Sequence, residues 1–355
     1  MSRIRVVVVD DSAFVRKALT RLLADHPVIH VVGVAASGEE LLTHFEDWKP
    51  DVITLDLSMP GMGGLRTLDR IMAIRPTPVI ILSTHSGEGA PKTIEALHRG
   101  AMDFIDKQQY SLVDFQALRG VLVEKLIEVT GRTADGLETD LVEDGPEKDG
   151  LGSMAGDPAY SALLIGASTG GPPAIQTLLE DLGPRIDVPI LVVQHMPPGF
   201  TKAFANRLNT HLPFHVREAE DGEPLLPQAV YIAPAGRHLV IDRHGDQLHV
   251  LMSHYPDDVP HRPAANELFR SGARIFGSRA IAVLLTGMGR DGADGMSSLF
   301  DAGAHTIAQD EESCVVFGMP RAAIALSAAR EVLPLGRIGD RLRELLTSRR
   351  RVVAT

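Results

Sequence analysis

Apolar residues in this chain come in short, dense runs separated by amphipathic stretches. Five such runs, "IRVVVVDD", "VIHVVGVAA", "DVITLDLS", "PVIILST" and "DFIDK", lie in the first third. None keeps a strict apolar–polar alternation, as expected of parallel strands covered on both faces. Between them, segments such as Ala13–Ala24 and Lys92–Arg99 carry helical spacing. Five strand–helix units predict a flavodoxin-like, doubly wound α/β sheet over residues 1–127.

The pattern lapses over residues 128–158. Between Asp135 and Asp149 stand seven acidic residues against one base, Lys148, with frequent glycine and no apolar periodicity. A segment of this kind buries too little surface to offset its ordering entropy, which predicts an acidic flexible linker. The alternation resumes over 159–348 with "ALLIGAS", "VPILVVQHM", "AVYIAPAG", "HLVID", "QLHVLMS" and "AIAVLLTGMG". Helices are expected after the first, second and last of these. The closely spaced "AVYIAPAGRHLVIDRHGDQLHVLMS" reads as an antiparallel ribbon turning at "HGDQ". The second half is therefore predicted to be a mostly parallel α/β domain with a β-hairpin insertion.

Composition narrows the setting. A chain of 355 residues exceeds one compact core and suits two domains. Its formal net charge of -11 argues against nucleic-acid binding, which needs basic surface, and no helix-turn-helix pattern follows the linker. The one cysteine, Cys314, excludes an internal disulfide framework and a cysteine-rich zinc site. The N-terminal apolar run is too short for a signal peptide, and no run approaches the ~20 residues that span a bilayer. These features predict a cytoplasmic protein without membrane insertion.

Chemistry gathers at the predicted strand ends. Asp10 and Asp11 close the first strand and Asp56 the third, and in a doubly wound sheet these ends share the ligand-binding edge. Three carboxylates there repel unless a hard cation such as Mg²⁺ sits among them. Ser83 and Lys107 end the fourth and fifth strands and add a hydroxyl and an ammonium, a set suited to phosphoryl transfer onto Asp56. The plainer alternative is that Asp10 and Asp11 only cap the first helix.

"VVVVDDSAFVRKAL", "DLSMPGMGG", "PVIILST" and "GAMDFIDK" together resemble a two-component receiver domain across residues 3–127. The resemblance implies Asp56 as phospho-acceptor. It also implies Mg²⁺ ligation by Asp10, Asp11, Asp56 and the carbonyl of Ser58, with a chemosensory histidine kinase as phosphodonor. Ser83 and Lys107 would follow the phosphoryl oxygens, and Phe104 would be the switching aromatic. Receivers usually place proline after this lysine; here it is Gln108.

In the second half, Gly166-Ala-Ser168-Thr-Gly170 follows a strand and opens a helix. It lacks the Gly-Lys-Ser/Thr ending of a P-loop and the second glycine and trailing acid of a dinucleotide fingerprint. It does match a nucleophile elbow, where a serine stands exposed beside helix N-terminal amides. His195 ends the next strand and Asp291 follows the last strong one, so Ser, His and Asp are delivered to one rim. Ser168 as a mere helix cap, His195 as a structural hydrogen-bonder and Asp291 as a turn former remain the alternatives. His238 and His261 are rival bases; His195 ranks first because it directly follows a buried strand beside the serine turn, and the other two are assigned to a substrate groove. The order Ser, His, Asp differs from that of the α/β-hydrolases, so the elbow does not assign that fold.

"IGASTGGPPA", "VVQHMPPGFT", "YIAPAGRHL", "HRPAANELF" and "LLTGMGRDGADGM" resemble the chemotaxis protein-glutamate methylesterase family over about residues 160–345. The resemblance implies hydrolysis of glutamate methyl esters, and deamidation of glutamines, on chemoreceptor helices, with no cofactor for the hydrolysis. It implies Ser168 as nucleophile, His195 as acid/base and Asp291 as its orienting group, with Thr169 and Met288 flanking the serine and an amide such as that of Met288 holding the oxyanion. It further implies that the receiver covers the site until Asp56 is phosphorylated. The competing expectation is a response regulator whose second domain only binds.

Overall fold

The computed structural model describes residues 3–83, 89–108, 115–131, 160–184 and 186–347. The expected acidic linker falls almost wholly outside them. The first domain runs β1 (Ile4–Val9), α1 (Ala13–Ala24), β2 (Ile29–Ala35), α2 (Gly38–Trp48), β3 (Val52–Asp56), α3 (Gly63–Ile74), β4 (Val79–Ser83), α4 (Gly89–His98), β5 (Asp103–Asp106) and α5 (Phe115–Val129). Its parallel sheet has the order β2-β1-β3-β4-β5, and the order reverses between β1 and β3. Strands β3, β4 and β5 are buried at every position, which explains why their runs are continuous rather than alternating. Helix α5 carries the domain to Val129, two residues past the expected boundary.

The second domain contains β6 (Ala162–Ala167), α6 (Gly171–Leu182), β7 (Ile190–Gln194), α7 (Phe200–His211), β8 (His215–Glu218), β9 (Ala229–Ile232), β10 (His238–His244) and β11 (Gln247–Ser253). It continues with α8 (Ala265–Phe276), β12 (Ala280–Leu284), α9 (Ala293–Asp301), β13 (His305–Gln309), α10 (Met319–Ala325), β14 (Glu331–Leu333) and α11 (Leu335–Thr347). Seven strands form a parallel sheet in the order β14-β13-β12-β6-β7-β9-β8. At its centre β6 is wholly buried; removing Leu163, Leu164 and Ile165 from water stabilises the sheet by roughly 1.5–3 kcal/mol per side chain.

One strand differs from expectation. "AVYI" is not part of the ribbon: as β9 it pairs in parallel with β7 and β8 in the main sheet. All four of its residues are buried, the signature of a strand covered on both faces, whereas β10 and β11 keep exposed positions and pair with each other outside the main sheet, with β11 also bridging Pro224 through His249. The ribbon is thus two strands turning at Gly245 and Asp246, with α8 packed across it through Ser271, whose hydroxyl accepts from Ile241 N–H. Three strands of the sheet, β8, β13 and β14, were not anticipated.

The two domains share one core. Ile94, Leu97 and Phe104 of the first belong to the same buried apolar cluster as Phe200, Phe204 and Leu208 of the second. The Phe104 and Phe200 rings meet at 4.5 Å between centroids.

Candidate active site

Both sites sit at topological switch points. In the first domain Asp10 and Asp56 leave β1 and β3, the neighbours between which strand order reverses, so both carboxylates point over one crevice. Carboxylate oxygens of Asp10, Asp11 and Asp56 lie within 4.8 Å of one another. The cap of α1 is Ser12, whose hydroxyl accepts from Val15 N–H, so the two aspartates are not spent on capping. Lys107 Nζ bridges Asp10 at 2.7 Å and Asp56 at 3.0 Å. Burial would lower this ammonium, but the two carboxylates outweigh it and hold it above the ordinary lysine range. Burial also raises Asp10 despite Lys107. A buried carboxylate that is only partly neutralised, in a three-oxygen set, fits a hard divalent cation.

The other first-domain residues take definite places. Ser58 donates its amide to Asp56 Oδ1 at 3.2 Å. Ser83 Oγ accepts from Thr93 Oγ1 at 2.5 Å at the end of β4. Gln108 donates its amide to Asp106 Oδ1, closing a short turn that leaves Lys107 over the crevice without a following proline. Phe104 is buried against Phe200.

In the second domain the reversal falls between β12 and β6, and the candidate triad surrounds it. Strand β6 ends at Ala167; the chain turns through Ser168 and Thr169 to Gly170, which caps α6 at a φ of 75° that favours glycine. Two prolines then open α6, where their missing N–H groups cost nothing. Ser168 N–H donates to Thr286 O, and Gly287 lies so close that a Cβ there would come within 2.8 Å of Ser168 Cβ.

His195 follows β7 and donates its amide to Ala167 O. Its Nε2 meets Asp291 Oδ2 at 2.8 Å. Asp291 also accepts the amides of Ala265 at 2.6 Å and Asn266 at 3.0 Å, so it caps α8 while it orients the imidazole. Burial would raise the Asp291 carboxyl, but these partners hold it below the usual range. His195 Nδ1 is buried and bonds nothing among the described residues. No hydrogen bond joins it to Ser168 in this state, although both line one cavity of about 460 Å³.

That cavity has two walls. Ser168, Thr169, His195, His261 and Met288 form one; Asp103, Phe104, Glu124 and Lys125 of the first domain form the other. His261 stacks on His195 at 4.2 Å between centroids and 19° between planes. Burial first, and then the neighbouring His195, pushes His261 down to about 4, so it stays neutral beside that ring.

His238 is not in the groove, contrary to expectation. It is fully buried, accepts Ala264 N–H on Nδ1 and turns Nε2 to Pro256 O at 3.0 Å. The amide fixes Nδ1 as acceptor, so Nε2 carries the proton and the ring braces the loop that holds His261.

The sequence reading missed the contacts around the serine. Thr169 Oγ1 donates to Asp103 Oδ2 at 2.6 Å, and Lys125 Nζ pairs with the same oxygen. Gly170 N–H donates to Met102 O of the first domain. Thr286 Oγ1 donates to Thr169 O, and Gln309 Oε1 accepts Thr286 N–H. These are long-range pairs, and nothing in a local motif announces them.

An acidic crevice in one doubly wound domain and a Ser-His-Asp rim in the next define the class: a response regulator joined to an α/β enzyme domain. Residues 163–342 match the CheB methylesterase family, and residues 6–115 match the response regulator receiver domain. The chain is 42% identical over 342 residues to the protein-glutamate methylesterase/protein-glutamine glutaminase of Pectobacterium atrosepticum, covering 96% of this chain and 97% of that one. It is 44% identical over 348 residues to protein-glutamate methylesterase/protein-glutamine glutaminase 1 of Myxococcus xanthus, covering 98% of each. The crystal structure of the Thermotoga maritima CheB methylesterase catalytic domain superposes with a TM-score of 0.51 at 41% identity, over 53% of this chain and all of that one. The chain belongs to the CheB methylesterase family.

Proposed function

We propose that this protein is a phosphorylation-activated protein-glutamate methylesterase, and a glutaminase by the same route, acting in the cytoplasm on the helices of methyl-accepting chemoreceptors. The observation that carries the reading is the 2.8 Å His195–Asp291 hydrogen bond set beside Ser168 in one cavity. Asp291 orients the imidazole and offsets its charge when the ring takes a proton. Ser168 Oγ attacks the side-chain ester carbonyl as its proton passes to His195, and methanol leaves with that proton. Water then attacks the acyl-serine with His195 as base, releasing a glutamate carboxylate and the serine. The amides of Thr169 and Met288 flank the serine and take no hydrogen-bond acceptor among the described residues, which suits them to the developing oxyanion. An amide substrate follows the same course with ammonia leaving.

Control comes from the receiver. Asp103 and Met102 hold the two residues after the nucleophile, and Lys125 and Glu124 wall the cavity. Asp103 and Lys107 stand at the two ends of β5, so a charge change at Asp56 that draws Lys107 also pulls on the strand that grips Thr169. A histidine kinase supplies the phosphoryl group. Asp10, Asp11, Asp56 and the carbonyl of Ser58 would hold Mg²⁺, which when bound neutralises charge on the transferring phosphoryl group. Ser83 and Lys107 would hold the phosphoryl oxygens, and Phe104, packed on Phe200, would transmit the shift.

The test is methanol release from methylated chemoreceptor, with and without a small phosphodonor. Ser168→Ala should remain folded and lose turnover by about three or more powers of ten. Retained ester hydrolysis in that variant would overturn the assignment.

A further inference from the structure

We propose that Gln194 is a positioning residue for hydrolysis: its side-chain amide ties the turn carrying Ser168 to the turn carrying His195 and so sets the approach of hydroxyl to imidazole. The inference rests on the reading of those two residues as nucleophile and base. Gln194 is the last residue of β7 and is 2% exposed. The β6–β7 register sets it beside Ala167, the residue before the serine. Its Nε2 donates to Ser168 O at 2.9 Å and to His195 O at 3.1 Å. Both hydrogens of the group are used. A flipped amide would turn its oxygen toward two carbonyl oxygens, so the chemistry fixes the orientation.

Ser168 O also accepts Gly171 N–H at 2.8 Å. One glutamine therefore joins the start of α6, the nucleophile's peptide and the base's peptide. Gly171 is glycine for this reason: a Cβ there would stand 1.9 Å from Gln194 Oε1 and 2.8 Å from Ala167 Cβ. The two glycines after Thr169 thus have separate causes, backbone angle at Gly170 and this close approach at Gly171.

Packing alone does not account for a glutamine here. Gln194 Oε1 is buried and accepts nothing from the described residues, which is a cost that methionine of similar volume would avoid. What methionine cannot do is hold two carbonyls at a set separation. Ser168 and His195 are not hydrogen-bonded in this state, so catalysis requires them to close. With their backbones tied by Gln194, closure is left to side-chain rotation, and a loosened tie lets the turns drift. A misplacement of about 1 Å between reacting groups costs on the order of 100-fold in rate.

The experiment uses the full chain with a phosphodonor and measures methanol release per Ser168 titratable by a fluorophosphonate. Gln194→Met should lower kcat by about 10- to 100-fold with KM within about twofold, and slow fluorophosphonate labelling in parallel. Gly171→Ala, which presses on the same amide from the other side, should do likewise, and the double variant should lose less than the product of the two factors. A kcat within twofold of the parent in either single variant overturns the proposal, whatever happens to thermal stability. Ser168→Ala run alongside separates the two readings. Turnover in that variant removes the serine assignment itself, whereas an inactive Ser168→Ala with a fully active Gln194→Met removes only the positioning role.

Discussion

Replacing Asp103 with alanine tests whether the receiver restrains the enzyme through the residue next to the nucleophile. In the resting structure Asp103 Oδ2 accepts the Thr169 hydroxyl at 2.6 Å, and both side chains are largely buried. A hydrogen bond to a charged group contributes about 1.5–3 kcal/mol. Its loss weakens the closed arrangement by that amount, and Lys125, left without its carboxylate in the cavity wall, adds to the effect. The Phe104–Phe200 contact and the Gly170–Met102 hydrogen bond survive, so the interface is weakened rather than abolished. At 1.4 kcal/mol per tenfold, basal methanol release by unphosphorylated Asp103→Ala should rise about 10- to 100-fold, up to the ceiling set by the phosphorylated parent. Asp103→Asn keeps an acceptor without charge and should fall between. The assay compares initial rates on methylated receptor with and without phosphodonor. An unchanged basal rate with a full response to phosphodonor would refute the latch. An equal fall in both states would mean that the substitution had damaged the serine turn instead.

Three further outcomes are expected. His238→Leu removes two buried hydrogen bonds from the loop before α8 and should cost about 2–4 kcal/mol in denaturant unfolding, with kcat of the folded fraction little changed. Burial pushes Glu128 up to about 7; Glu124 and Asp103 push the same way, while Lys125 and Arg321 draw it back. Because the folded chain holds this proton more tightly than the unfolded one, its contribution is full below about pH 4.5 and is lost as pH rises through about 7. The displacement is worth about 3 kcal/mol, reduced to about 1–2 by solvent screening of a partly buried group, and Glu128→Gln should flatten the loss of stability between about pH 4.5 and 7 by that amount. Asp56→Asn should keep the basal rate and lose all response to phosphodonor, read by the same methanol assay.

Much of the fold was legible because burial on both faces leaves a strong mark. Runs such as Ile190–Gln194 and Ala280–Leu284 are apolar at nearly every position and can belong only to a covered sheet. The same rule, applied more strictly, would have placed "AVYI" correctly, since its four residues lack the alternation of the ribbon beside it. The strands that escaped are those in which a polar side chain serves the interior. In β13, "HTIAQ", Gln309 is fully buried because its amide oxygen accepts Thr286 N–H. Such a residue reads as surface until its partner, more than twenty positions away, is known. The edge strands β8 and β14 are short and partly exposed, since an edge is half in water: β8 is mostly polar, and β14, three residues long, leaves Val332 exposed.

The site divides along the same physical line. Ser168, His195 and Asp291 were legible because each follows a buried strand, the first two directly and Asp291 on the glycine-rich loop after β12, and parallel topology brings those ends to one edge whatever lies between them in sequence. The three aspartates of the receiver follow from the same geometry. What stayed hidden were groups that touch the candidate site from the side: Asp103 from another domain, His261 stacked on His195, and Gln194 one residue before it. His238 was misread for the converse reason. A histidine at the start of a strand near a glycine turn has the same local pattern whether it faces a cavity or braces a loop, and only the Ala264 amide at 3.2 Å decides. Residues that meet because strands run parallel are predictable from order alone. Residues that meet because two side chains share a hydrogen require the fold first, and the contact from Thr169 to Asp103 between the two domains is of the second kind.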